Sequence, residues 1–173
     1  GDVDKQIREN VFVRMVTNKN AVFEGEPIAT TLKLYYRLNF GNVQMTKAPK
    51  FDGFWSQEGE QNPNQKPQVE TINGQQYYVL DIQKYTLFPQ RSGALQISPA
   101  ELNMIVQVQV QSKRRSVWDI FGGAQLQNVP YKPVSNAVTI NVKPLPDAGK
   151  PEDFSGAVGK FTFQTNLSPK ESK

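Results

Sequence analysis

The stretch Ile28-Ala29-Thr30-Thr31-Leu32-Lys33-Leu34-Tyr35-Tyr36-Arg37-Leu38 decides the fold. Ile28, Thr30, Leu32, Leu34, Tyr36 and Leu38 share one parity, and Ala29, Thr31, Lys33, Tyr35 and Arg37 share the other. Successive side chains of an extended strand point to opposite faces, so this segment has one dry and one wet side. The period recurs at Leu102, Met104, Val106, Val108 and Val110, which oppose Glu101, Asn103, Gln107, Gln109 and Gln111, with Ile105 out of step. It recurs again at Val138, Ile140 and Val142 against Thr139, Asn141 and Lys143. Half-wet strands suit an antiparallel sandwich better than a parallel α/β sheet.

Working outward, further strands are expected at Val11–Val16, Val43–Thr46, Pro67–Ile72, Gln76–Leu87 and Ala94–Ser98. Asn73-Gly74 stands between two of them, and both residues tolerate the positive φ of a tight hairpin turn. Within Gln76–Leu87 the apolar parity changes, from Tyr78, Leu80 and Ile82 to Tyr85 and Leu87. A β-bulge near Gln83 would restore one dry face, because an extra residue reverses the alternation; otherwise Tyr85 packs on the outer face. No segment has the pattern of an amphipathic helix of three turns or more. Pro144, Pro146, Gly149 and Pro151 punctuate a linker after the Val138 strand, since proline cannot donate to a ladder. Beyond it Phe161 and Phe163 alternate with Thr162 and Gln164. The expected organisation is a β-sandwich over residues 9–143, a Pro-rich linker over 144–153, and over 154–173 the first strand of a truncated second β-module. The fold class is all-β: an immunoglobulin-like antiparallel β-sandwich of about seven or eight strands.

Composition narrows the chemistry. The 173 residues contain no Cys and no His. That removes disulfides, thiol nucleophiles and thiolate zinc sites, the commonest general base and the usual partner of a catalytic Ser. Carboxylates, Lys, Tyr, Ser and Thr remain, and no motif arranges them for catalysis. The expectation is a protein that is not an enzyme and takes no cofactor and no metal. The net charge is +4, from 20 Lys+Arg against 16 Asp+Glu, and the one tight basic cluster is Lys113, Arg114 and Arg115. A nucleic-acid binder needs a basic stripe with aromatics spaced for stacking, so nucleic acid is not an expected partner. No apolar run approaches the ~20 residues of a membrane helix. The chain starts with Gly1 and has no charged-then-apolar leader, so a signal or anchor of a longer parent would lie outside it.

Several motifs in order carry a resemblance. Phe12-Val13-Arg14-Met15 is followed by Val22-Phe23-Glu24-Gly25-Glu26-Pro27, Leu32-Lys33-Leu34-Tyr35-Tyr36 and Pro49-Lys50-Phe51-Asp52-Gly53-Phe54-Trp55. Then come Tyr85-Thr86-Leu87-Phe88-Pro89-Gln90-Arg91-Ser92-Gly93, Val142-Lys143-Pro144-Leu145-Pro146 and Lys150-Pro151-Glu152-Asp153-Phe154-Ser155-Gly156-Ala157-Val158-Gly159. Over nearly its whole length the chain resembles an internal portion of the BatD family of Bacteroides aerotolerance (oxygen-tolerance) proteins. The resemblance implies immunoglobulin-like modules outside the cytoplasm, on the periplasmic side of the inner membrane. The parent would be anchored by a transmembrane helix elsewhere in its sequence. It implies a non-enzymatic interaction or scaffold role, with other envelope proteins as partners, among them Bat proteins carrying von Willebrand A domains. No catalytic residues carry over.

The candidate partner-binding site is the stretch Lys113–Asn128, read as a loop between two strands. Val117, Trp118, Ile120 and Phe121 are too apolar for an idle surface loop, and large aromatics at loop tips make binding hot spots. Asp119 lies inside this run; its carboxylate has the oxygen chemistry to complete an open divalent-cation site on a partner's A domain. The competing role is structural, with the same side chains folding back over the end of the core. Phe54 and Trp55 form a candidate aromatic patch for a glycan or peptide, against the alternative of burial between the sheets. Glu24-Gly25-Glu26 reads either as the start of a cation site or as a turn with solvated carboxylates. The alternative function is a carbohydrate-binding β-sandwich module, which would show a flat row of exposed Trp and Tyr.

Overall fold

The computed structural model describes residues 2–111 and 124–146. The chain divides into two compact units, Gly1–Val142 and Lys143–Lys173, and of the second only 143–146 are among the described residues. A nine-residue helix, α1 (Asp2–Asn10), precedes the strands. They are β1 (Val11–Thr17), β2 (Ala21–Phe23), β3 (Ile28–Tyr36), β4 (Phe40–Lys47), β5 (Phe54–Glu58), β6 (Gln68–Ile72), β7 (Gln75–Pro89), β8 (Gly93–Ile97), β9 (Glu101–Gln111), β10 (Ala124–Tyr131) and β11 (Val138–Lys143). The fold is an all-β antiparallel sandwich. Its eleven strands among the described residues exceed the expected seven or eight because three strands carry little alternation. β2 has three residues, β5 lies at an edge with one half-buried position, and β10 shows no dry face in its sequence.

One sheet has the order β1-β3-β7-β5, with β6 pairing the same β7 nearer its start; the others run β10-β9-β4 and β2-β11-β8. β3 is central in register, pairing Val11↔Tyr36 through Thr17↔Thr30 on one side and Ile28↔Leu87 through Tyr36↔Tyr78 on the other. Leu32 pairs Gln83 while Lys33 pairs Asp81, so Ile82 is the extra residue of a β-bulge. The bulge sits where the parity change demanded it. It keeps Leu80, Gln83, Tyr85 and Leu87 on the face shared with Leu32 and Leu34. Asn73 and Gly74, at φ 50° and 80°, close the β6–β7 hairpin as expected.

Side chains from all three sheets meet in one core. Val11, Val13, Ile28, Leu32, Leu34 and Leu87 of the large sheet join Leu102, Met104, Val106 and Val108 of β9 and Leu95, Ile97, Ile140 and Val142 of β8 and β11. Ile7 brings α1 onto the same core. Burial of side chains this size stabilises by about 1.5–3 kcal/mol each. The free edge of β1 is closed by side chains. Tyr131 Oη donates to the Val11 carbonyl at 2.8 Å, and the Asn136 amide accepts from Met15 N at 2.9 Å and donates to Met15 O at 3.2 Å.

The outer face of the large sheet departs from expectation. Tyr35, placed on the wet side by its parity, is only 3% exposed, and it forms a second cluster with Tyr77 and Val79, flanked by Phe12 and Ile72. Its cause is the register: Phe12 lies opposite Tyr35 and Tyr35 opposite Val79. Phe12 stacks on Tyr35 at 5.0 Å and meets Tyr77 edge-on at 5.2 Å. Adjacent aromatics on neighbouring strands exclude water from each other without a second layer.

Thr30 Oγ1 is buried in the main core with no hydrogen-bond partner. An isosteric apolar group removes that cost, so Thr30→Val is expected to raise unfolding free energy by about 1 kcal/mol, read as a higher urea midpoint at constant slope. Burial pushes the Tyr35, Tyr85 and Tyr131 hydroxyls above their ordinary value. The folded chain therefore holds these protons where the unfolded chain has lost them. Their contribution to stability is complete below pH of about 10 and is lost as pH rises through the raised values. The melting temperature should fall in step with the late rise of tyrosinate absorbance.

Candidate interaction surfaces

The expected binding stretch Val117, Trp118, Asp119, Ile120 and Phe121 lies outside the described residues, and its flanks do not. β9 and β10 pair from Ala124↔Gln111 to Tyr131↔Met104, so Gln111 and Ala124 are partners at one end of the ladder. Ala124–Asn128, read from sequence as loop, is strand. The error has a physical cause: β10 is an edge strand on which Gln125, Leu126, Gln127 and Asn128 are all exposed, Leu126 at 60%, so no dry face marks it in the sequence. On β9 the dry face continues from Val106 and Val108 to Val110, which is half-buried against the core.

The structure places Phe54 and Trp55 on opposite faces of β5. Phe54 lies opposite Pro89 and packs against the main core. Trp55 lies opposite Phe88 on the outer face, is 56% exposed, and holds its ring 5.2 Å from that of Phe88. Tyr78, on β7, is also well exposed, at 53%. The bulge puts it on the face opposite Phe88, so Trp55 and Tyr78 do not share a row. Gly25, at φ 80°, makes the turn read from sequence. Glu26 closes it, accepting from Phe23 N at 3.0 Å and binding Lys19 Nζ at 2.6 Å. The Lys19 hydrogen bond, then that from Phe23 N, hold the Glu26 carboxyl below its usual range.

A polar cleft of about 200 Å³ lies beside the bulge, under the chain joining β5 to β6. Its floor is pinned by amides. Gln65 accepts from Asp81 N at 2.7 Å and donates to Asp81 O at 3.1 Å, standing in for a strand residue in the gap between β5 and β6. Gln83, 9% exposed, accepts from Gln61 at 2.7 Å and donates to the carbonyls of Gly59 and Lys84. Among the described residues no three Asp or Glu side chains converge as a metal site would require.

Sequence reasoning passed over two exposed arginines on the outer face. Arg14 lies 4.9 Å over the Phe12 ring and 5.4 Å from that of Tyr35, and Arg37 lies 5.5 Å over Tyr77. The available signal was the spacing: Phe12 with Arg14 and Tyr35 with Arg37 are two apart, hence on one face of their strands.

A family model described as the BatD DUF11-like domain matches residues 15–117. The chain belongs to the BatD family. The match runs from within β1 through all of β9 and takes in the central β3, the bulged β7 and, of the outer-face cluster, Tyr35, Ile72, Tyr77 and Val79. No curated protein and no solved structure matches the chain. Among the described residues of this BatD-family chain, no helix is long and apolar enough to cross a membrane.

Gln65→Ala should cost about 1 kcal/mol and selectively speed hydrogen exchange at the Asp81 amide, leaving amides of β3 unchanged.

Proposed function

We propose that this BatD-family chain is a non-enzymatic interaction module on the periplasmic side of the inner membrane, presented by a membrane-anchored parent. It holds out a recognition surface to other envelope proteins, von Willebrand A-domain Bat proteins first among them. The observation that carries this reading is the β9–β10 pairing. It fixes Gln111 and Ala124 side by side on a sheet whose core is complete, and the twelve residues between them include Val117, Trp118, Ile120 and Phe121. A short apolar stretch tied at both ends to a rigid scaffold loses little entropy on binding. The absence of His and Cys from the sequence supports a role without bond-making. The carbohydrate-binding alternative draws no support from the exposed aromatics, because Trp55 and Tyr78 lie on opposite faces.

Because β10 begins at Ala124, the deletion that tests this must stop before it. Replacing Lys113–Gly122 by a short Gly-Ser link should abolish binding to a purified A domain of a Bat protein, measured by calorimetry with Mg²⁺ present. The melting temperature should stay unchanged. Trp118→Ala should weaken binding by about 2 kcal/mol. Undiminished affinity in both variants overturns the site, and a fall of melting temperature in Trp118→Ala assigns the ring to the core instead.

A further inference from the structure

We infer that the outer face of β1, β3 and β7 is a docking surface for an extended acidic segment of a partner protein, held by Arg14 and Arg37. Both side chains are exposed, and among the described residues no carboxylate lies within ion-pair distance of either. Each guanidinium nevertheless has a fixed seat. Arg14 spans Phe12 and Tyr35, and Arg37 covers Tyr77. A guanidinium laid on an aromatic face keeps its N–H edge turned outward, and less side-chain freedom is lost when a carboxylate arrives.

The spacing describes the occupant. Arg14 lies opposite Lys33. Arg37 lies just past the end of β3, four residues beyond Lys33, a backbone offset of about 13 Å along the strand. An extended chain with carboxylates at i and i+4 matches that backbone offset on one side, and glutamate side chains are long enough to follow guanidiniums seated over the neighbouring Phe12 and Tyr77 rings. Beside them the sheet carries charge of both signs: Glu70, on β6 opposite Tyr77, has Oε2 3.5 Å from Lys33 Nζ. Glu70 would repel a uniformly anionic lipid surface, whereas two discrete carboxylates over β1 and the end of β3 leave it to one side. Stacked nucleic-acid bases need open rings, and here Tyr35 and Tyr77 are 3% and 8% exposed beneath the guanidiniums. Charge complementarity with closed rings therefore selects an acidic peptide. This surface is separate from the β9–β10 hairpin and does not rest on its role.

The test uses the full chain and a fluorescein-labelled Ser-Glu-Thr-Val-Thr-Glu-Ser peptide, read by anisotropy at low salt and by side-chain Nε–Hε shifts of the arginines. Arg14 and Arg37 signals should move on titration, affinity should fall with added salt, and the Gln-for-Glu peptide should bind about tenfold more weakly. The Arg14→Met, Arg37→Met double variant keeps the apolar stems over the rings and removes the charge. It should melt like the parent and lose about tenfold in affinity. Arg14→Lys with Arg37→Lys, which keeps charge without the planar fork, should fall between them. Arginine signals that stay still at millimolar peptide overturn the proposal. So does equal binding by the Met variant, or tighter Arg-dependent binding of oligo-dT or of phosphatidylglycerol vesicles.

Discussion

The architecture depends on one extra residue. β7 is long enough to pair β3 over its whole length and also to carry β5 and β6 end to end on its far side. A strand of that length with strict alternation would have to place either Leu80 or Leu87 in water. Ile82, inserted between the partners of Leu32 and Lys33, resolves the conflict by reversing parity halfway. Next to the same insertion lie the Asp81 backbone groups that Gln65 caps and the polar cleft. The insertion also decides which aromatics share a face: Tyr77 and Val79 go outward to meet Tyr35 and Phe12, while Trp55 and Phe88 stand outward at the other end.

Much of this was legible because the large sheet and β9 obey period two. Ile28–Tyr36, Val11–Thr17, Glu101–Gln111 and Val138–Lys143 bury alternate side chains, and Asn73-Gly74 has the φ angles that its residue types predict. The bulge was legible too, because Tyr85 and Leu87 break step with Leu80. What escaped lacked a periodic signal. β10 packs only Val129 and Tyr131 at its end against the core and is exposed over Gln125–Asn128, β5 has five residues at an edge, and α1 turns only Ile7 fully inward from a polar sequence. Tyr35 was misplaced for another reason. Parity assigns a face but does not say what lies across it, and burial there comes from Phe12 and Val79 on neighbouring strands.

The surfaces divide in the same way. The apolar run around Trp118 announces itself in sequence by composition alone. The paired arginines do not, because Arg14 and Arg37 are 23 positions apart in the chain and meet a common face only through the β1–β3 register. The scattered positive charge of the sequence is gathered locally by folding, on the face already made dry by three aromatic rings.

The two side-chain amides that sit in backbone positions, Asn136 against Met15 and Gln65 against Asp81, have a consequence for life at high concentration. A bare strand edge is a template for self-association into aggregates, and most sheets guard against it along the strand itself with charge or proline. Here each vulnerable point is stoppered by one residue borrowed from elsewhere in the chain. Solubility thereby becomes a property of the tertiary fold: partial unfolding of the Ser135–Ala137 segment uncorks β1 while leaving the strand intact and sticky.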